Sequence, residues 1–493
     1  MTAGWETVVG LEVHVELATD TKLFSAAPSR FGDEPNTNVT PVCLGLPGSL
    51  PVLNRRAVEL AMAVGLALNC EIRPSVFHRK NYFYPDMPKD YQVSQYDQPI
   101  CSDGWLDVPG GSRVGIERAH LEEDAGKTTH LGGADGRIHG AVGALVDYNR
   151  AGTPLLEIVS RPDIDSAAEA SAYVEELRAI LLALGASDAR LEEGSMRVDA
   201  NISVRPAGSG ELRTRCEVKN LNSLRSLRNA IDYEAQRHIE LYAAGDAPIQ
   251  ETRHWSEDGR THSLRSKEEA DDYRYFPEPD LVPLVPGDEW IAQVRAAMPE
   301  LPASQRARLH ECGAGAEDAQ VIVGRGLAPV VLGAVAAGAD ARRTVTHAVQ
   351  NLALDGAELL DPDGLASLVH LETSGQLTAT QAKTVLVEMC TRSVAAVHAA
   401  PAKADDPSDS ASAAARALDP AAIAAELGFE AMADDELEAL VDQAIADNPE
   451  AWEKFRAGEA KVAGVFVGAV MKATRGQADG KAVNQYLALR RDA

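Results

Sequence analysis

From Leu11 to Leu17 every second residue is apolar (Leu11, Val13, Val15, Leu17) and every intervening one is ionisable (Glu12, His14, Glu16). A helix would spread these side chains around its circumference, whereas a strand puts residues two apart on one face. The segment therefore reads as a half-buried strand. The alternation returns between Arg197 and Arg205, where Val198, Ala200, Ile202 and Val204 oppose Arg197, Asp199, Asn201, Ser203 and Arg205, and again in a short run with Arg215, Glu217 and Lys219 on one face. Any one of these polar faces suits the solvated side of an antiparallel sheet. Together they favour a functional site. Carboxylates with one imidazole suit a hard divalent ion, most naturally a Mg²⁺ that keeps some water and meets nucleotide phosphates; zinc would want more His or Cys. Nearby Arg and Lys would then neutralise phosphoryl oxygens during transfer. Alternation alone does not say whether the three faces converge.

Helical periodicity separates these strands. Ser166 followed by Glu169 forms a capping-box pattern, and Tyr173, Val174, Leu177, Ile180, Leu181 and Leu184 recur at helix spacing until Gly185. A second helix is predicted from about Asn54 to Leu68, with Leu60, Ala61, Val64 and Leu68 buried, and a third from about Ser223 to Ala243. Strands interspersed with such helices predict an α+β domain in the first part of the chain. After Pro286 the text becomes Ala, Leu and Val at helical spacing. The expected organisation is an α+β domain over residues 1–290, a helical domain over 291–400, a flexible acidic linker over 401–420 and a helical tail domain over 421–493. The linker is too polar to offset its ordering entropy by burial.

At 493 residues and 45% hydrophobic content the chain is long enough for several cores. No apolar run reaches the roughly eighteen residues of a membrane span, and the N-terminus lacks the pattern of a signal peptide, so a cytoplasmic protein with no membrane contact is expected. The six cysteines are scattered without a C-x-x-C pair, which argues against a disulfide framework and a zinc knuckle. The formal charge of −27 requires any polynucleotide partner to meet local basic patches. This acidity, with Arg favoured over Lys, fits either a salt-rich cytoplasm or an ordinary acidic protein of a GC-rich genome.

Two loops stand out. Residues 78–92 (His-Arg-Lys-Asn-Tyr-Phe-Tyr-Pro-Asp-Met-Pro-Lys-Asp-Tyr-Gln) mix basic, amide and aromatic groups too densely for a plain connector, and such groups stack on bases or guide small polar molecules. At Glu122, Glu123 and Asp124 three successive acids repel one another unless a cation or water intervenes. One of them is expected to serve a site. The chain has no G-x-x-x-x-G-K-[ST] loop, no G-x-G-x-x-G turn after a strand and no Gly-x-Ser-x-Gly elbow, so an ATP site would belong to neither common nucleotide family, and the chain is not expected to make its own ammonia.

These segments, in this order, closely resemble the B subunits of aspartyl/glutamyl-tRNA amidotransferases, the GatB family. The matching text is Val9-Gly-Leu-Glu-Val-His-Val-Glu-Leu17, Arg79-Lys-Asn-Tyr-Phe-Tyr-Pro-Asp86, Leu121-Glu-Glu-Asp-Ala-Gly-Lys127, Asn149-Arg-Ala-Gly-Thr-Pro-Leu155, Arg197-Val-Asp-Ala-Asn-Ile-Ser203, Lys219-Asn-Leu-Asn-Ser223 and Asp272-Tyr-Arg-Tyr-Phe-Pro-Glu-Pro-Asp280. The resemblance implies a heterotrimer: an amidase, the A subunit, releases ammonia from glutamine, and a small C subunit completes the assembly. The B subunit would phosphorylate the side-chain carboxylate of Asp-tRNA(Asn) or Glu-tRNA(Gln) with ATP and Mg²⁺, and channelled ammonia would displace phosphate. It also implies an N-terminal cradle holding ATP and Mg²⁺, followed by a helical domain and a tail that grips tRNA. Carried onto matching positions, Glu12, His14, Glu123 and Glu217 stand as metal ligands or their neighbours, with Asp199 a further acid. Lys80, Lys89 and Tyr82 lie on the ammonia route, with Glu123 as its alternative gate. Arg150, Arg197 and Lys219 are candidates for phosphate contacts, with structural ion pairing the alternative. Thr40 stands where a second cysteine would accompany Cys43, so no zinc is expected. In the locally basic tail, Lys472, Arg475 and Lys481 are candidates for tRNA phosphates. Two other readings are the E subunit of an archaeal Glu-tRNA(Gln) amidotransferase, which carries an inserted domain and is longer, and a non-catalytic tRNA-binding scaffold.

Overall fold

A computed structural model describes residues 4–110, 113–132, 140–256, 258–266, 270–399, 418–429, 434–474, 478 and 480–492. The alternating segments fold as strands, the first starting well before Leu11 and the second reaching one residue farther at each end: β1 runs Trp5–Glu16, β10 runs Met196–Pro206 and β11 runs Cys216–Lys219. Between and beyond them come β2 (Glu71–Ile72), β3 (Phe77–Asn81), β4 (Tyr91–Gln95), β5 (Cys101–Asp107), β6 (Arg113–Glu123), β7 (Lys127–Leu131), β8 (Gly143–Asp147), β9 (Pro154–Ser160), β12 (Glu251–Trp255), β13 (Thr261–Ser266) and β14 (Phe276–Pro277). Twelve of the described strands make one sheet in the order β13-β12-β11-β10-β1-β9-β6-β4-β3-β14, with β5 beside β6 and β2 beside β5. Its pairs are antiparallel except β11 with β12. Strands β7 and β8 form a separate hairpin.

Three helices cover one face of the sheet. Helix α1 (Arg55–Ala67) starts where Asn54 Oδ1 accepts the Arg56 and Ala57 N–H groups at 2.9 and 3.3 Å. Helix α2 (Ala167–Ala183) starts where Ser166 Oγ accepts the Glu169 N–H at 3.3 Å; the Glu169 carboxylate returns to the Asp165 N–H, one residue earlier than in a capping box. Helix α3 (Leu224–Ala243) is capped by Ser223. Each cap satisfies N–H groups that the first turn leaves without a carbonyl. Leu11, Val13 and Val15 from β1 and Val198, Ala200 and Ile202 from β10 pack with Leu60, Val64, Tyr173, Val174, Leu177, Leu227 and Ile231 in one core. The opposite face of the sheet keeps the ionisable residues. The expected α+β class and all three helices are observed, with Leu60, Ala61, Val64 and Leu68 fully buried.

The chain forms two compact units, 1–302 and 303–493. Helix α4 (Asp288–Ala296) stays with the first: Trp290 Nε1 donates to Glu59 at 3.2 Å, Arg55 lies over the Trp290 ring, and Met298 and Leu301 pack against the first core. The first unit thus reaches beyond residue 290. The second unit is helical, and its last helices (Asp434–Asp447, Pro449–Arg456, Ala463–Ala473, Gly480–Asp492) share a core of Leu437, Val441, Phe455, Phe466, Val470, Val483 and Leu487. Of the expected linker, residues 401–417 lie outside the described residues.

Candidate functional site

Cross-strand register assembles the polar face. On β1, His14 lies opposite Arg197 on one side and Glu157 on the other, and Glu157 lies opposite His120 of β6. One row farther along, Glu12 faces Asp199 and Val159; on the other side of the His14 row, Glu16 and Glu122 flank Leu155. Directly opposed residues share a face. Glu12, His14, Asp199, Glu122, Glu157 and His120 therefore converge from four strands that are far apart in sequence. Lys80 of β3, Arg118 of β6, Glu217 and Lys219 of β11, and the rings of Tyr96, Tyr273 and Tyr275 complete a cavity of about 300 Å³.

The charges in this cavity are strongly coupled. His14 Nδ1 is 3.4 Å from Glu122 Oε1, and its Nε2 is 4.0 Å from Asp199 Oδ2. Burial opposes the charge on His14, but the Glu122 bond and the charges of Glu157, Glu122 and Asp199 outweigh it and push the imidazolium up to about 9. Burial likewise opposes ionisation of Glu122, yet His14, Lys80 and His120 hold its carboxyl down at about 2. His120 goes the other way: burial keeps it below the ordinary histidine value despite Glu157 at 3.4 Å. Lys219 Nζ bridges Asp199 at 2.7 Å and Glu217 at 3.0 Å, and Glu217 also accepts the Thr252 hydroxyl at 2.7 Å. Asn201 Nδ2 donates to Glu12 at 2.9 Å. Two triads, Glu12–His14–Asp199 and His14–Glu122–Glu157, each bring one donor atom per residue within 4.8 Å of the others. Carboxylate oxygens with one imidazole are a donor set that Mg²⁺ accepts alongside water.

The sequence-derived residues distribute unevenly around this cavity. Glu12, His14, Glu217, Lys219 and Lys80 line it, and Asp199 adjoins it through His14 and Lys219. Glu123 does not: it leaves β6 on the opposite side from Glu122, forms a buried ion pair with Lys89 and accepts the Val93 N–H at 3.1 Å. Tyr82 packs on Tyr84, with ring centroids 4.5 Å apart. Arg197 and Arg150 are both taken up by the buried Asp124, at 2.9 and 3.6 Å, and Arg150 also donates to the Ala125 and Gly126 carbonyls. Burial and the Asp124 charge push Glu16 up to about 7, against the pull of Arg150 and Arg197. These arginines thus have a structural partner just past the end of β6.

Glu157, His120 and Arg118 were not singled out from the sequence, and Glu122 was named only as one of three successive acids. Glu122 directly follows the buried Leu121 and so points away from the core, a side that the register shift between Ile116 and Arg118 hides from a simple alternation. Cys43 Sγ meets Thr40 Oγ1 at 3.4 Å and Ser25 Oγ at 3.2 Å. In the second unit Lys472 is exposed on its helix, Arg475 lies outside the described residues, and Lys481 falls in the last helix with its side chain outside them. Arg490 is bound to Asp442 and Glu438, which reduces the basic character of that end. Among the described residues no single helix is long and apolar enough to cross a membrane.

Known protein families cover most of the chain. Residues 7–292 match the model of the GatB/GatE catalytic domain, and residues 341–490 match that of the GatB domain. The chain is 48% identical to the B subunit of the aspartyl/glutamyl-tRNA(Asn/Gln) amidotransferase of Corynebacterium diphtheriae, over 98% of this chain and 96% of that protein. It is 48% identical to the corresponding B subunit of Thermobifida fusca over 98% and 93%. For the B subunit of Salinispora arenicola the identity is 49%, over 98% and 96%.

Proposed function

Since the chain belongs to the GatB/GatE family, we propose that it is the B subunit of a tRNA-dependent amidotransferase and that the His14 cavity activates the side-chain carboxylate of misacylated Asp-tRNA(Asn) or Glu-tRNA(Gln). A carboxylate is a poor electrophile because its leaving group would be oxide. In the proposed reaction a carboxylate oxygen attacks the γ-phosphorus of ATP, ADP leaves and an acyl phosphate forms. Ammonia then attacks the acyl carbon, phosphate departs with the bonding pair, and the amide nitrogen loses a proton.

One observation carries this reading: two carboxylate–imidazole triads share His14 on a sheet face that also bears Lys80, Arg118 and Lys219. Acids able to hold a divalent cation and bases able to hold phosphoryl oxygens are what phosphoryl transfer requires in one place. Glu12, His14, Asp199, Glu122 and Glu157 would hold Mg²⁺, which when bound neutralises phosphoryl oxygens. Binding there is coupled to loss of the His14 proton, because a ligating imidazole must be neutral. Lys80 and Lys219 hold the anionic oxygens of the reactants, and the Glu123–Lys89 pair on the other side of β6 lies toward the ammonia supply. Ammonia would come from a glutaminase, the A subunit, joined through a small C subunit, and exposed Lys472, with Arg475 and Lys481, would contact tRNA phosphates.

The test is Glu122→Gln in the assembled enzyme, with Asp-tRNA(Asn), Glu-tRNA(Gln), ATP and Mg²⁺ supplied separately and together. The exchange keeps volume and removes one charge. ADP formation that depends on misacylated tRNA should fall by about 100-fold or more, while tRNA retention on filters is preserved. Undiminished ADP formation would refute the assignment.

A further inference from the structure

Cys216 and Glu217 are successive residues of β11, so their side chains leave opposite faces of the strand. Glu217 enters the His14 cavity, whereas Cys216 points toward α3. There Glu234 and His238, one turn apart on the helix, complete a triad whose sulfur, oxygen and nitrogen donors all lie within 4.8 Å of one another. All three side chains are fully buried. Among the described residues neither ring nitrogen of His238 makes a hydrogen bond, although Nε2 is 3.3 Å from Glu234 Oε1. A buried imidazole left in this way is costly unless something else takes its lone pair. The Ile249 carbonyl, 3.2 Å from Cys216 Sγ, is a further oxygen donor beside the triad.

Arg237 closes the cluster. Its guanidinium donates to Cys216 Sγ at 3.4 Å and pairs with Glu234, and its side chain, 22% exposed, reaches solvent. The Thr261 hydroxyl and Arg253 hold the other Glu234 oxygen, at 2.7 and 3.6 Å. The charges permit an exchange. A divalent ion brings two positive charges, and the Cys216 thiol proton and the Arg237 guanidinium, leaving together, take two away. The buried cluster then keeps its net charge, which avoids the main penalty of placing an ion there. Thiolate, imidazole and carboxylate together suit Zn²⁺ or Co²⁺ rather than Mg²⁺.

We infer that Cys216, Glu234 and His238 bind a divalent transition ion of the zinc type, which displaces Arg237 and clips α3 to β11 directly behind Glu217. The metal–sulfur bond forms as the Cys216 S–H bond breaks and its proton passes to solvent. The ion would hold β11 in the register that sets Glu217 opposite Asn201 and Thr252. The inference does not rest on the phosphoryl-transfer reading, since none of its ligands lines the His14 cavity. No cysteine motif marks the site in the sequence, because one ligand comes from a strand and two from a helix later in the chain. The absence of zinc expected at Cys43 and Thr40 concerns a different place.

The full chain, stripped of metal with a chelator, is titrated with Co²⁺. A near-ultraviolet sulfur-to-cobalt charge-transfer band should grow to one ion per chain and bleach when Zn²⁺ is added. Ions in the His14 cavity, whose clustered donors are oxygen and nitrogen, give no such band. Cys216→Ser should abolish the band, and with it the rise of about 4 °C in melting temperature that Zn²⁺ at about a hundred times its Kd should give the parent. His238→Gln keeps the thiol and should weaken Co²⁺ about 100-fold or more, a readout that does not depend on the folding of Cys216→Ser. Arg237→Gln removes the competing cation and should strengthen Co²⁺ about tenfold or more. The inference is overturned by a parent chain without the sulfur band, by a band that survives Cys216→Ser, by His238→Gln binding Co²⁺ like the parent, or by Arg237→Gln binding it no more tightly. None of these outcomes bears on phosphoryl transfer at His14.

Discussion

Lys89→Met isolates one buried charge. The Lys89 and Glu123 side chains are 7% and 5% exposed and pair directly, and Glu123 has the Val93 N–H as a second donor at 3.1 Å. Methionine keeps most of the lysine volume, which matters because Lys89 packs under Gly45. The variant leaves the carboxylate buried with one neutral donor. Removing one partner of such a pair costs about 3–5 kcal/mol, mainly through the stranded charge. The unfolding entropy of the 302-residue first unit is about 0.63 kcal/mol per degree, at roughly 2.1 cal/mol/K per residue, so its melting temperature should fall by about 5–8 °C. Adding Glu123→Gln removes the stranded charge, and the double variant should regain more than half of the loss. Differential scanning calorimetry of the four proteins of the cycle reads this directly. A Lys89→Met shift under about 2 °C, or single shifts that simply add in the double variant, would show that the pair is not a coupled buried unit. Amidation driven by glutamine, compared with amidation driven by added ammonium, then separates a transit role for this pair from a packing role.

Two further outcomes follow from buried polar groups. Glu234 is fully buried and bound by Arg237 and by the Thr261 hydroxyl at 2.7 Å; burial raises its carboxyl, but these partners and His238 hold it at about 2. A depressed carboxyl stabilises the fold fully above its ordinary value of 4.5, and that stability drains as pH falls toward about 2. Glu234→Gln should therefore be less stable by about 3 kcal/mol at neutral pH and should flatten the dependence of stability on pH between 4.5 and 2; chemical denaturation at stepped pH giving parallel profiles would contradict this. Tyr173 is wholly buried on α2, and among the described residues its hydroxyl has no hydrogen-bond partner. Tyr173→Phe should be neutral or stabilising by up to about 1 kcal/mol, and a melting temperature lowered by several degrees would show that the hydroxyl is satisfied in solution.

Much of the local structure was legible in the sequence. Asn54, Ser166 and Ser223 cap helices because their short side chains reach the free N–H groups of the first turn, and that requires only neighbours in the chain. The alternation at Leu11–Leu17 placed Glu12 and His14 on the polar face for the same reason. The acid run Glu122–Asp124 was harder. In β6 the register shifts between Ile116 and Arg118, so Val114 and Ile116 lie on the buried side at even positions while Ala119 and Leu121 lie there at odd ones. A bulge of this kind inverts the alternation midway, and a strand read without it sends Glu123 rather than Glu122 to the polar face.

By itself the sequence determined the strand faces, the helix starts and, through its text, the family. It could not determine which face meets which. A period of two says that His14 points away from the core, but its neighbours Glu157 and Glu122 come from strands more than a hundred residues away and are chosen by hydrogen-bond register. Register depends on pairing across the whole sheet, including the bulge in β6. Only the tertiary structure could place the Glu123–Lys89 pair on the far side of that strand and bring His14 between two sets of acids.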